Sequence, residues 1–166
     1  MDAASKPTRI GVTGHLNLTA DTASLVATAV RELLAAYRPD ELVGVSCLAA
    51  GADTIFAEAV VAHGARLEIV LPAADYRDRQ VAPDHAEAFD RLSGRAASVR
   101  VMPHARAGRA AYEDANAAML AGCDLLVAVW DGHPAVDGGG TAAVVAQAHA
   151  RAMPVVVVWP VGARRA

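Results

Sequence analysis

The chain is expected to fold as a single α/β domain, a mainly parallel sheet between two layers of helices, and three observations predict it. Short apolar runs alternate with helix-length amphipathic segments from Ile10 to Trp159, as strands linked by crossover helices require. Two of the runs, Leu125 to Trp130 and Val155 to Trp159, are unbroken rather than alternating, the pattern of strands covered on both faces. Glycine-bearing loops then follow the strand-like runs, where strands of such a sheet hand over to helices.

The elements follow in order. Ile10 to Thr13 is a short apolar run closed by Gly14, and Leu25, Val26, Ala29, Val30, Leu33, Leu34 and Tyr37 then recur at helical spacing. Thr19 or Asp21 can cap that helix and Pro39 ends it. Leu42 to Leu48 predicts a second strand. Gly51-Ala52-Asp53 opens a second helix with Ile55, Phe56, Ala59 and Val60 on its face and Gly64 past its end. Leu67 to Leu71 is a third strand, broken by Pro72, and Ser98 to Met102 a shorter fourth. Helices over about Arg109 to Ala121 and Gly140 to Ala152 flank the Leu125 to Trp130 strand. The charged, weakly periodic stretch Ala73 to Ala97 reads as a flap or edge excursion. Within it, Asp84-His85-Ala86-Glu87 resembles a capping box for a short helix to about Leu92. The domain takes in residues 1–166, with 1–8 as a flexible start and 160–166 as a tail.

Composition narrows the function. With 54% hydrophobic and 20% charged residues and a mean hydropathy of +0.27, the 166 residues can bury one sizeable core and are not a disordered chain. No apolar run approaches the ~20 residues of a membrane span. A net charge of -3 and an isoelectric point near 6.0 give no excess of positive charge to hold a polyanion, so nucleic acid is expected to be an unlikely partner. The start Met1 to Pro7 lacks the apolar core of a signal peptide, and Cys47 and Cys123 lie in or beside apolar runs, so the expected location is the cytoplasm with both thiols reduced. Aromatics are only 4%, which leaves binding to backbone and small polar groups.

Chemistry is expected at the carboxyl ends of the strands. Three loops fall there: Gly11-Val12-Thr13-Gly14-His15, then Ser46 to Asp53, then Asp131-Gly132-His133 through Gly138-Gly139-Gly140-Thr141. Glycine lets backbone N–H groups approach an anion, Thr13 and Thr141 add hydroxyls, and a helix N-terminus supplies about half a positive charge. The third loop lacks the lysine of a P-loop and the spacing of a dinucleotide fingerprint. Any one glycine loop is also an ordinary tight turn; three at one edge favour a phosphate-bearing ligand. Asp53 fits either a helix-dipole charge or a contact to a ligand hydroxyl, His15 either an exposed turn or a hydrogen bond to the ligand, and Asp131 either a turn cap or a carboxylate of the site.

The three loops, together with Cys123 to Trp130, resemble the SLOG superfamily of Rossmann-like proteins, which includes the LONELY GUY phosphoribohydrolases, the molybdenum-cofactor carrier proteins and the Smf/DprA domain. The similarity runs from about Arg9 to Trp159 and implies a nucleotide or related phosphorylated small molecule on the loops, often in a homodimer. It assigns ligand contacts to Thr13, Gly14, His15, Gly51, Asp53, Asp131, Gly139, Gly140 and Thr141. The enzymes of the group pair an arginine on the helix before the central strand with a glutamate two residues after the threonine of the glycine loop. Here that second position is Ala143, and Tyr112 to Asn116, with Ala115 among them, carries no arginine. Cleavage of an N-glycosidic bond needs a carboxylate near the ribose and a donor for the leaving base, which alanine cannot supply. Arg109, Glu113 and Asp131 are the available substitutes.

The expectation is therefore a binder or sensor, with a nucleoside 5′-monophosphate N-glycosidase as the alternative and a DNA-associated protein disfavoured by the charge. No cofactor is expected, and the histidines show no ligand-like pairing with each other or with cysteine, so no metal. Asp75 to Arg79 reads as a solvated charged stretch or a lid, Trp130 as core or pocket border, and Arg164-Arg165 as a basic tail too short to make a patch.

Overall fold

The computed structural model describes residues 5–134 and 140–166, so Gly139 and its contribution to the third loop lie outside the described residues. The elements are β1 (Thr8–Gly14), α1 (Ala20–Leu34), β2 (Leu42–Ser46), α2 (Ala52–Ala62), β3 (Arg66–Leu71), α3 (Tyr76–Arg79), α4 (Pro83–Arg95), β4 (Ser98–Val101), α5 (Arg109–Ala121), β5 (Leu125–Val129), α6 (Gly140–Ala150) and β6 (Val155–Val157). Six strands make one sheet in the order β4-β3-β2-β1-β5-β6, every ladder parallel. This is a single Rossmann-like α/β domain. The chain steps outward from β1 to β4 and then returns to place β5 on the other side of β1, which opens a crevice at the carboxyl ends of β1 and β5.

Side-chain alternation along the strands builds the layers. Ile10 and Val12, Leu67, Ile69 and Leu71, and Val127 and Val129 pack with Val26, Val30 and Leu34 of α1, Phe56 and Val60 of α2, and Phe89 and Leu92 of α4. Val43, Val45, Val70 and Leu126 point the other way, onto Ala115, Met119 and Leu120 of α5 and Val144 and Ala148 of α6. Each large aliphatic side chain so covered is worth about 1.5–3 kcal/mol. Small residues let the helices sit close: a Cβ on Gly44 would lie 2.4 Å from Val60 Cγ2. Thr19 caps α1 by accepting from the Thr22 N–H, as expected. Among the described residues no helix is long and apolar enough to cross a membrane.

Three expectations need correction. The unbroken Val155 to Trp159 run does not lie covered on both faces: β6 is an edge strand with Val156 38% and Val157 51% exposed. Valine suits a pleated strand wherever it lies, so the run marks the strand and not its place in the sheet. Ala73 to Ala97 is no flap, because α4 buries Phe89 and Leu92 against α2 and is the crossover between β3 and β4. The capping box at Asp84 does not form. Pro83 occupies the first turn with Ala82 as N-cap and no side-chain cap bond, since a residue without an N–H starts a helix readily. Residues 160–166 run back along the domain: Leu18 and Arg165 form an antiparallel bridge, Ala166 N donates to Asn17 O at 2.7 Å, and Arg164 N donates to Thr22 Oγ1 at 2.6 Å. Thr8 pairs in register with Leu42.

Candidate ligand-binding site

The carboxyl ends of the strands border a cleft of about 1150 Å³, large for one small-molecule site. Its floor is made where the first two loops meet the end of β5. His15 N donates to Val129 O at 3.1 Å and Ala52 N donates to His15 O at 3.2 Å, which stitches three separated segments together. Glycine is required at two points of this seam. A Cβ on Gly14 would stand 2.4 Å from Ala52 Cβ and 2.8 Å from Val129 O; one on Gly51, at φ +78°, would stand 2.5 Å from His15 O. Gly14 borders the cleft, whereas Gly51 lies beneath the first loop and is absent from the lining. Its glycine serves the approach of backbone to backbone.

Asp53 sits at the start of α2, with its carboxyl buried on the cleft floor. Its Oδ2 accepts from Ala49 N at a long 3.3 Å, and its carbonyl accepts from Ser46 Oγ, which also accepts from Leu48 N. Leu48 is held at φ +58°, a left-handed conformation unusual for leucine and a small store of strain beside the cleft. Burial pushes the Asp53 carboxyl up to about 7, against the pull of the Ala49 N–H. Cys47 and Tyr76 share this floor, and burial raises both their pKa values, with the Asp53 charge adding to the effect. At neutral pH the thiol is therefore protonated, and the same holds for Cys123, pushed up to about 12 by burial.

The rim near β5 is different. His15 is buried and stands edge-on to Trp159 with ring centroids 5.6 Å apart. Its Nε2 accepts from Asp131 N at 3.1 Å, which requires the neutral ring with the proton on Nδ1. Burial and the nearby Arg165 charge lower its pKa accordingly. Asp131 Oδ1 in turn accepts from His133 N at 2.9 Å; that bond and the neighbouring histidine outweigh desolvation and keep the carboxyl below its ordinary value. Arg165 reaches the same spot, with Nη1 3.8 Å from Asp131 Oδ2.

Of the residues assigned from sequence, Thr13, Gly14, His15, Asp53, Gly140 and Thr141 line the cleft, and Asp131 stands just behind the rim. His15 is not the exposed turn histidine of the alternative reading. Arg109 and Glu113 pair with each other at 3.0 Å on an exposed face and take no part in the lining, so neither substitutes for the missing catalytic groups. Ala115 does face the cleft, whereas Ala143 does not.

Several lining residues were not legible beforehand. Tyr76 and Tyr112 meet edge to face at 6.2 Å in a wall that rises from the floor at Tyr76, so two of the three tyrosines in the chain border the cleft despite the scarcity of aromatics. Tyr76 hides inside the charged stretch Asp75 to Arg79. His85, placed by α4, meets Leu48 O at 3.1 Å, and Arg165 arrives from the supposed tail. Only the lone apolar residue amid charges could have flagged Tyr76. Among the described residues no three His, Cys, Asp or Glu side chains gather as metal ligands.

No family model and no curated protein matches the chain. Solved structures do. DNA processing protein A (DprA) from Streptococcus pneumoniae superposes with a TM-score of 0.67 at 18% identity, over 93% of this chain and 51% of that one. DprA from Helicobacter pylori, solved for its single-stranded DNA binding mode, gives 0.69 at 16% identity, over 95% and 68%. The Moco carrier protein from Chlamydomonas reinhardtii gives 0.60 at 21% identity, over 93% and 76%. The chain thus spans about half the length of the first and about two thirds of the second. These neighbours overturn the expectation that nucleic acid is an unlikely partner, since a protein of this fold binds single-stranded DNA. Net charge is an average over the whole chain, while an anion meets local helix ends and a few side chains. The fold of this chain is the one the SLOG resemblance implied, shared with DprA and the Moco carrier proteins.

Proposed function

We propose that the protein binds a phosphorylated ligand of nucleotide size in the cleft, with its anionic group toward Gly140 and Thr141 and its remaining body between the tyrosine wall and Asp53. The observation that supports this most strongly is the convergence of the β1–α1 loop, the start of α2 and the start of α6 on one cleft at the point where strand order reverses. The first residues of α6 border the cleft, so N–H groups with no acceptor inside the helix and the positive end of the helix dipole face a phosphate there. Tyr112 gives a partly exposed face for a ring. Thr13, Gly14, His15 and Gly139 complete the set of contacts proposed from sequence, with Gly51 acting through the shape of the first loop and Asp131 from behind the rim rather than on the phosphate.

A second reading, a single-stranded nucleic acid laid along the same cleft, draws on the likeness to DprA and on the cleft's size. Both use the same phosphate chemistry and differ in the length of the ligand. Calorimetric titration with nucleoside mono- and diphosphates and with a short thymidine oligonucleotide separates them. A mononucleotide that matches the oligonucleotide in affinity supports the first reading, and affinity that climbs with strand length supports the second. Release of free base from any monophosphate would establish the glycosidase alternative. No binding by either class would refute the proposal.

A further inference from the structure

The segment Pro160–Ala166 was assigned no role, yet it carries the one arginine or lysine among the described residues that line the cleft, Arg165. The segment is firmly placed. After a turn closed by Ala163 N donating to Pro160 O, Arg164 N donates to the buried Thr22 hydroxyl and Thr19 N donates to Arg164 O. The Ala166 N–H and carbonyl bond to the Asn17 carbonyl and side-chain amide, so residues 163–166 form a strap across the β1–α1 loop.

The strap also orients the guanidinium. Arg165 Nε and Nη2 both donate to Asn17 Oδ1, at 3.3 and 3.2 Å, which fixes one edge of the fork. A guanidinium has five N–H donors, so Nη1 and the second Nη2 hydrogen remain to serve an incoming group. What faces them is Asp131, but at 3.8 Å that contact is at the limit of an ion pair and beyond a charge-assisted hydrogen bond. Asp131 has better bonds elsewhere, from His133 N and through its own N–H to His15. The Arg165 side chain is about half exposed, and the acidic lining residues Asp53 and Asp84 leave it as the local attraction for an anion.

We propose that Arg165, presented by the 163–166 strap, is the phosphate-binding side chain of the cleft and that it exchanges its long contact with Asp131 for a bidentate contact with the ligand. This rests on the phosphorylated-ligand reading above. A fork already fixed along one edge by Asn17 loses little freedom on binding, which favours arginine over lysine at this position.

The test titrates inorganic pyrophosphate, AMP and adenosine into the wild type, Arg165→Gln, Arg165→Lys and Asp131→Asn, with thermal melting to verify that each variant folds. Arg165→Gln should lose at least tenfold in affinity for pyrophosphate and AMP and leave adenosine unchanged. Arg165→Lys should lose several-fold, and Asp131→Asn should bind AMP more tightly because the competing carboxylate is gone. If the wild type binds AMP and Arg165→Gln binds it equally well, or loses AMP and adenosine alike, the assignment of Arg165 fails while the phosphorylated-ligand reading stands. Weaker AMP binding by Asp131→Asn would overturn the exchange. A wild type that binds neither pyrophosphate nor AMP removes both.

Discussion

The floor and the rim of the cleft are built from neighbouring loops and yet handle charge in opposite ways. On the floor, Asp53 is buried beside Cys47 and Tyr76 with no cation facing it among the described residues, and burial raises its carboxyl to about 7. On the rim, His15, Asp131 and Arg165 are joined to one another and to backbone N–H groups, and the imidazole is kept neutral while the carboxylate stays charged. The difference teaches that depth and partners act together: desolvation dominates at the deeper Asp53, whereas the shallower Asp131 keeps a short N–H bond and a neighbouring imidazole that favour its charged form. Asp131 has the His133 N–H within 2.9 Å, and Asp53 only a long bond from Ala49.

The largest effect is expected where floor and rim share a seam. Gly14→Val drives a side chain into Ala52 and the Val129 carbonyl and should lower stability by about 3 kcal/mol in urea denaturation, because backbone cannot move aside. If Gly14→Val melts like the wild type, the seam is not what positions the loops.

Next in size is the pH response of the floor. The Asp53 carboxyl has a folded pKa of about 7 against an ordinary value of 3.8, so its contribution to stability is complete below 3.8 and is lost as the pH rises through 7. Asp53→Asn should therefore gain stability relative to the wild type between pH 4 and pH 8, by about 4 kcal/mol at most. A difference that does not change with pH would place the carboxyl in contact with a cation or with water.

The rim should respond with the reverse sign. His15 has its pKa lowered by burial, so the stability it lends is present above its ordinary 6.5 and is lost as the pH falls through the lower folded value. His15→Ala should cost about 1–2 kcal/mol at pH 8, and less in acid, when the same denaturation series is run downward in pH. A penalty that grows in acid would mean the ring is charged in the folded protein. Smallest of all, Arg77→Ala breaks an exposed pair with Asp90 outside the cleft and should leave the urea midpoint where the wild type has it.

Much of this fold was legible because periodicity is a local signal. The β5 run, the Thr19 cap and the Arg109–Ala121 bounds of α5 follow from spacing and end residues alone. What escaped depends on partners far apart in the chain. Nothing in Val155 to Val157 says that no further strand pairs beyond it. Nothing near Arg165 announces Asn17, and the acidic average of the chain hides the local charge at the cleft mouth. Gly51 also lets the first loop pass close overhead, a feature that needs the neighbouring carbonyl in view. Pro83 displaced a capping box whose four residues looked complete in isolation.

The strap has a consequence for how the protein matures. Loop 15–19 emerges from the ribosome almost 150 positions before the residues that fasten it, 164–166. Such non-local closures come late in folding because the intervening chain must be ordered before they form. The parallel sheet can be assembled while its mouth is still unfastened, so a nascent chain would acquire its architecture before it acquires its grip.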